Sequence, residues 1–334
     1  MLRKIFFTLI SLSFVAILVY KPAAISEPGA SATDAAREDL TRIEYPSEDA
    51  ISWTPRFIRP QDTLESMFGN DWQYVARFNR VDRRHVYPGM TIKVTRDIEQ
   101  LRNYCPLPAE YEPAKRHAKY ILVSLTEQWL GAYEYGKLMF SMPAATGMDG
   151  HNTPTGLFQV DARDKNHASS LYKTEDQLEQ YPMDNAIRFH IGPDNVSYWI
   201  HARDLPGKPA SHGCIGVFDE AMQNRQYGIP AEPVLLESEK LYKWAVADLK
   251  QVYKEDDDPD DEDDNPGDED DNTAVGDNNT AVGDGSVGAE AVETGEILYS
   301  AGGPELVEGG PIVEVVGENP HFKSPGFFSF LTRE

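Results

Sequence analysis

The sequence predicts a mostly-β domain over residues 115–240. A small strand–helix–helix–strand unit at 56–97 precedes it, and an acidic tail at 255–334 follows. Three observations carry this. Ile121, Val123 and Leu125 alternate in a region punctuated by turn signals such as Glu134-Tyr135-Gly136-Lys137 and Gly192-Pro193-Asp194-Asn195. Leu64, Met67 and Phe68, then Trp72, Val75, Ala76 and Phe78, recur at helical spacing. The charge is segregated: from Glu255 onward 23 Asp and Glu face only Lys323 and Arg333, a net of −21 out of −24 for the whole chain.

The chain opens with Arg3 and Lys4, an apolar run from Ile5 to Tyr20, and the small residues Ala24-Ile25-Ser26. That layout predicts a secretory signal peptide at 1–26. An uncleaved anchor is the alternative, although a spanning helix needs about 20 apolar residues. The expected location is outside the cytoplasm, in the periplasm or cell envelope, with membrane contact only through this segment. Residues 27–55 are mixed polar and read as a linker.

In 56–97, Phe57-Ile58 and Thr91–Val94 read as short strands, Asp62 or Thr63 as a helix cap, and Tyr87-Pro88-Gly89-Met90 as a turn. Residues 98–114 are a Pro-rich linker that contains Cys105. From 115 the pattern is β: three strands through Gly147, further strands in HNTPTGLFQVDAR and AIRFHIGPDNVSYWIHA, a short helix at 219–227, and a last strand in EPVLLES (232–238). Beyond Glu255 the composition predicts disorder, with NTAVGD repeated at 272 and 279. The apolar end SPGFFSFLTRE reads as a docking peptide, and the tail offers a surface to a protein partner. The near-neutral body lacks the basic patch of a nucleic-acid binder.

The chain has two cysteines. In an oxidising compartment a Cys105–Cys214 bridge is one expectation, but 108 residues separate them and their settings differ. The other is a nucleophile, because ASHGCIGV places Ser211, His212 and Gly213 beside Cys214. A thiol attacks as thiolate, an imidazole can take its proton, and a glycine-flanked turn can offer backbone N–H groups to an oxyanion. His201 ends the apolar strand YWIHA, 13 residues upstream. A Zn²⁺ site of His190, His201, His212 and Cys214 fits no compact zinc spacing, so no metal or other cofactor is expected. His190 reads as a strand histidine, and His85, His117, His151 and His167 as surface residues.

These residues resemble the catalytic signature of the YkuD-type L,D-transpeptidase family: Ile-His at a strand end, a loop, then Ser-His-Gly-Cys. Thr146, Gly147, Thr153, Pro154, Gly156 and Phe158 are similar to the family's upstream segment, and Gln128 fits its opening strands. The resemblance implies a YkuD-like β-sandwich in which Cys214 is the nucleophile and His201 the base. His212 and Gly213 would shape the site, Ser211 would orient groups, and backbone N–H groups near Gly213 and Cys214 would bind the oxyanion. His212, nearer in sequence, is the alternative base. The implied substrate is a peptidoglycan stem tetrapeptide, passed from a Cys thioester to an acceptor amine. Hydrolysis on the same scaffold, as a carboxypeptidase or amidase, is the alternative, as is an inactive wall-binding protein. Two departures stand out: Gly216 occupies a position where the family usually has Arg or Asn, and the His201–Cys214 loop is short. Segment 56–97 resembles a LysM module through Gln61-Asp62-Thr63-Leu64, Phe78-Asn79 and Tyr87–Met90, which implies binding to glycan strands. A βααβ spacer that binds nothing is the alternative there.

Overall fold

The computed structural model describes residues 38–174, 177–252 and 303–323. The expected signal peptide or anchor, the acidic run with its repeats, and the apolar C-terminal peptide lie outside the described residues. Among the described residues no helix is long and apolar enough to cross a membrane.

The first unit is built as its periodicity requires. β1 (Trp53–Phe57) and β2 (Thr91–Thr95) pair antiparallel around α1 (Leu64–Phe68) and α2 (Trp72–Asn79). Thr63 caps α1 in a reciprocal capping box with Ser66. Val75, Ala76 and Phe78 are fully buried, and Arg80 ends α2 in the left-handed conformation. After α3 (Glu99–Arg102) the chain enters the large sheet.

Among the described residues that sheet has eleven strands. In chain order they are β3 (Tyr120–Ser124), β4 (Trp129–Glu134), β5 (Lys137–Ala145), β6 (Gly156–Gln159), β7 (Ala162–Asp164), β10 (Ala186–Ile191), β11 (Ser197–Arg203), β12 (Ile215–Phe218), β13 (Gln251–Val252), β14 (Glu305–Val307) and β15 (Ile312–Val316). β8 (Ala168–Lys173) and β9 (Gln180–Pro182) form a separate two-stranded hairpin. The spatial order in the large sheet is β13-β14-β7-β10-β11-β12-β5-β4-β3-β15-β6. The sheet curls, so one core collects Ile121 and Val123 of β3, Ile187 and Phe189 of β10, Ile200 of β11, Val217 of β12 and Val313 of β15. α4 (Glu220–Tyr227) follows β12, and α5 (Glu237–Val246) closes the core with Leu241, Ala245 and Val246.

Three sequence expectations need correction. Residues 305–307 and 312–316, assigned to the acidic tail, are strands: β15 lies between β3 and β6, parallel to one and antiparallel to the other. The alternation of Ile312-Val313-Glu314-Val315-Val316 buries Val313 and Val315, which outweighs the acidic context. EPVLLES is not a strand. Only Leu236 bridges, to Asp219, and Glu237 and Glu239 begin α5, where acidic groups favour a helix N-terminus. Residues 38–52 do not behave as a free linker: Leu40, Ile43 and Tyr45 are buried in the core of the first unit.

The two units share that core. Ala145, Leu205, Phe218 and Leu235 of the sheet domain pack with Val75, Phe78 and Ile92. The shared contact continues in charge. Glu48 is buried between Arg80 and Lys93, and Arg80 Nε donates to the Glu127 carbonyl at 3.1 Å.

Candidate active site

β11 and β12 run parallel, with Ile200 opposite Ile215 and His201 opposite Gly216. Cys214 therefore lies beside Trp199, on the same sheet face as His201, because side chains alternate along a strand. Both residues line a cleft of about 1080 Å³ together with Ser211, His212, Arg203, Tyr198 and Tyr181. A smaller cavity of about 500 Å³ between residues 41–53 and 317–323 holds none of these groups.

The turn that presents Cys214 is held from two sides. Ala210 and Ser211 both donate backbone N–H to the Thr146 carbonyl, at 2.9 and 3.0 Å, and Met148 N–H returns to the Ser211 carbonyl at 2.9 Å. Thr146 is itself gripped by buried Gln128, whose Nε2 donates to Thr146 Oγ1 at 2.6 Å while its Oε1 accepts from Thr146 N–H at 2.9 Å. Thr153 Oγ1 accepts from Gly147 N–H at 2.9 Å. A Cβ on Gly147 would stand 2.0 Å from the His151 carbonyl oxygen. Within the turn Gly213 has φ +112°, which favours glycine, and a Cβ there would meet the Tyr198 ring at 2.7 Å. Ser211 Oγ donates to the Cys214 carbonyl and accepts Gly213 N–H at 3.1 Å. That Gly213 N–H is thus engaged within the turn.

His201 is 2% exposed. Its Nδ1 lies 2.6 Å from the Ala202 carbonyl oxygen. A carbonyl only accepts, so Nδ1 carries the proton and Nε2 keeps its lone pair. Burial, with Arg203 and His167 adding like charge, pushes its pKa down to about 3, so the ring is neutral. Burial pushes the Cys214 thiol up, opposed by a backbone hydrogen bond with Trp199 and by the Arg203 charge. His212 is exposed, stacked on Tyr172 at 4.1 Å and edge-on to His151 at 4.6 Å. Its pKa is also lowered, by burial, His151 and Arg203.

Of the sequence-predicted residues, Cys214, His201, Ser211 and His212 meet in the cleft, and Gly213 shapes the turn. Cys105 and Cys214 are both free. His190 is not with them. It stacks against Phe158 at 4.6 Å and Tyr198 at 5.6 Å. Among the described residues the group with metal-ligand spacing is Asp82, His85 and Asp204, not the histidines around Cys214. His85 and His167, read as surface residues, line the cleft, His167 beside Trp199 at 4.4 Å. Arg203 and Tyr181 also line it and were missed. Arg203 lies two residues after His201 on the same strand face, and the pairing of β11 with β12 sets its place over Gly216.

Solved structures with partial overlap include the L,D-transpeptidase from Mycobacterium smegmatis (17% identity, TM-score 0.28, covering 38% of this chain and 54% of that one). Others are the L,D-transpeptidases from Stackebrandtia nassauensis (19%, TM-score 0.30, 53% and 62%) and Xylanimonas cellulosilytica (24%, TM-score 0.30, 49% and 74%). The chain thus spans 54% of the length of the first and 62% of the second. No curated protein matches the chain. Over 56–97 the strand–helix–helix–strand arrangement is the finding. Residues 118–224, which contain both His201 and Cys214, match the model of the YkuD family, the L,D-transpeptidase catalytic domain.

Proposed function

We propose that the protein is a cysteine L,D-transpeptidase acting on peptidoglycan stem peptides. One observation carries the reading. A neutral imidazole with its Nε2 lone pair available shares a sheet face and a cleft with a free thiol, inside the segment that matches the family. With the histidine and the thiol both neutral, proton transfer from Cys214 to His201 Nε2 accompanies attack of sulfur on the donor carbonyl. A thioester forms, the C–N bond breaks, and the proton passes to the departing amine. An acceptor amine then attacks the thioester, His201 takes its proton, and the thiol is restored. The Cys214 N–H faces the oxyanion at both stages.

The remaining expectations belong to the same proposal. The N-terminal segment exports the protein to the cell envelope, the 56–97 unit meets glycan strands as a LysM-like module, and the acidic tail meets a protein partner. Mass spectrometry of purified protein with muropeptides tests the central reading. The expected result is an acyl adduct on Cys214 that an amine removes faster than water. Removal by water alone indicates the carboxypeptidase or amidase alternative, and no adduct overturns acyl transfer in favour of the inactive wall-binding protein.

A further inference from the structure

Gly216 stands where the family resemblance leads one to expect a polar side chain, and the structure shows what fills the space. A Cβ at Gly216 would lie 2.3 Å from Arg203 Cδ and 2.5 Å from its Cβ. The arginine stem crosses the glycine from the neighbouring strand, and any side chain at 216 would displace it. Arg203 Nη2 donates to the Ala210 carbonyl at 2.8 Å. Its Nε–H is buried and meets no acceptor, and Nη1 makes no hydrogen bond among the described residues. The guanidinium lies 5.6 Å from the Tyr181 ring centroid. The Tyr181 hydroxyl is buried as well: the Asp204 backbone N–H points toward it, but its own proton finds no acceptor. Two side chains with unspent donors, one of them cationic, therefore converge in the cleft that holds Cys214. Buried donors are rarely left unpaired without a reason, and a planar fork suits a carboxylate.

We propose that Arg203 and Tyr181 form a carboxylate-binding subsite that holds the free carboxylate of the residue leaving the acyl donor. The proposal rests on the acyl-transfer reading for the identity of that residue, and on geometry for its place. Arg203 is two residues beyond His201 on β11, and Gly216, on β12, is two residues beyond Cys214. Two strand residues span about 6.6 Å. That distance accommodates one residue beyond the scissile carbonyl plus a hydrogen bond of about 3 Å. The enzyme is thereby selective for peptides that end one residue past the attacked bond.

The test compares iodoacetate with iodoacetamide as alkylating agents for Cys214, scored by peptide mass so that Cys105 does not contribute. The thiolate displaces iodide from either reagent, and only iodoacetate carries a carboxylate. The iodoacetate-to-iodoacetamide rate ratio is expected to exceed that of glutathione by about ten- to a hundredfold, the worth of a charge-assisted hydrogen bond. It should collapse to the glutathione ratio in Arg203→Gln and fall partway in Tyr181→Phe. Tyr181→Phe removes an unpaired hydroxyl and keeps the fold, so it decides the matter if Arg203→Gln fails to fold. A merely structural arginine would slow both reagents together and leave the ratio unchanged, and a wild-type ratio equal to that of glutathione overturns the subsite. A parallel assay offers a stem peptide as its C-terminal acid or amide. Turnover of both at equal rates also overturns it. Failure of both peptides to react counts against the acyl-transfer reading, while the alkylation ratio still decides the subsite.

Discussion

At the scale of single residues, Cys214→Ala should abolish thioester formation while leaving the melting temperature close to wild type, because a half-buried thiol contributes little packing. Alkylation of the native thiol by iodoacetamide should still be accelerating above pH 9, since burial raises Cys214 above its ordinary value. His201→Ala should slow that alkylation at neutral pH by about 10² to 10⁴, the usual worth of a general base. His212→Ala should cost less, because its ring is stacked on Tyr172. A larger loss in His212→Ala would reverse the assignment. His201 also sets a pH window for stability. Its folded pKa of about 3 lies below the unfolded value of 6.5, so the unfolded chain takes up a proton that the folded one refuses. Stability contributed by the neutral ring is intact above 6.5 and is lost as pH falls toward 3, by about 1.4 kcal/mol per pH unit. Thermal melts of wild type and His201→Gln should diverge across that window in the opposite order from their activities. Cys214, His201 and the Ser-His-Gly-Cys turn were legible because short-range spacing carries them. Arg203 was not, because its place over Gly216 depends on the register of two strands that only the fold reveals.

At the scale of elements, the turn carrying Gln128 and the loop carrying Thr146 act as one brace for the turn that presents Cys214. Gln128→Ala leaves the buried Thr146 N–H without its side-chain acceptor and should cost about 1–3 kcal/mol in chemical unfolding. Thiol reactivity should fall with it, since the Thr146 carbonyl holds Ala210 and Ser211. Gly216→Ala drives a methyl into the Arg203 stem and should destabilise by about 1–3 kcal/mol. The strands β3 and β4, apolar runs ended by the Glu134-Tyr135-Gly136-Lys137 turn, were readable from sequence. The β8–β9 hairpin was not, because it is outside the large sheet and largely exposed, so no apolar period marks it. α5 was hidden by Val234-Leu235-Leu236, an apolar run that resembles a strand but serves as an approach to a helix start.

At the scale of the whole molecule, β15 shows how far apart in sequence a sheet can recruit its members. A chain ended at residue 252 loses β14 and β15, which exposes the paired edges of β3 and β6 and takes Val307, Val313 and Val315 out of the core. Such a truncation should fail to give a cooperative melt, whereas the acidity of the region suggests from composition alone that it is dispensable. The stitching of the first unit to the His201–Cys214 loop has a wider consequence. Leu205 pairs with Asp82 through both its N–H and its carbonyl, Tyr45 donates to the Gly207 carbonyl at 3.0 Å, and Pro206 bridges to Val81. The first unit thus holds this loop through Leu205, Pro206 and Gly207. A graft of 118–224 onto a foreign scaffold would therefore carry the His201–Cys214 loop without its clamp. In lineages of such chains, the N-terminal unit and this loop must change together, as two halves of one joint.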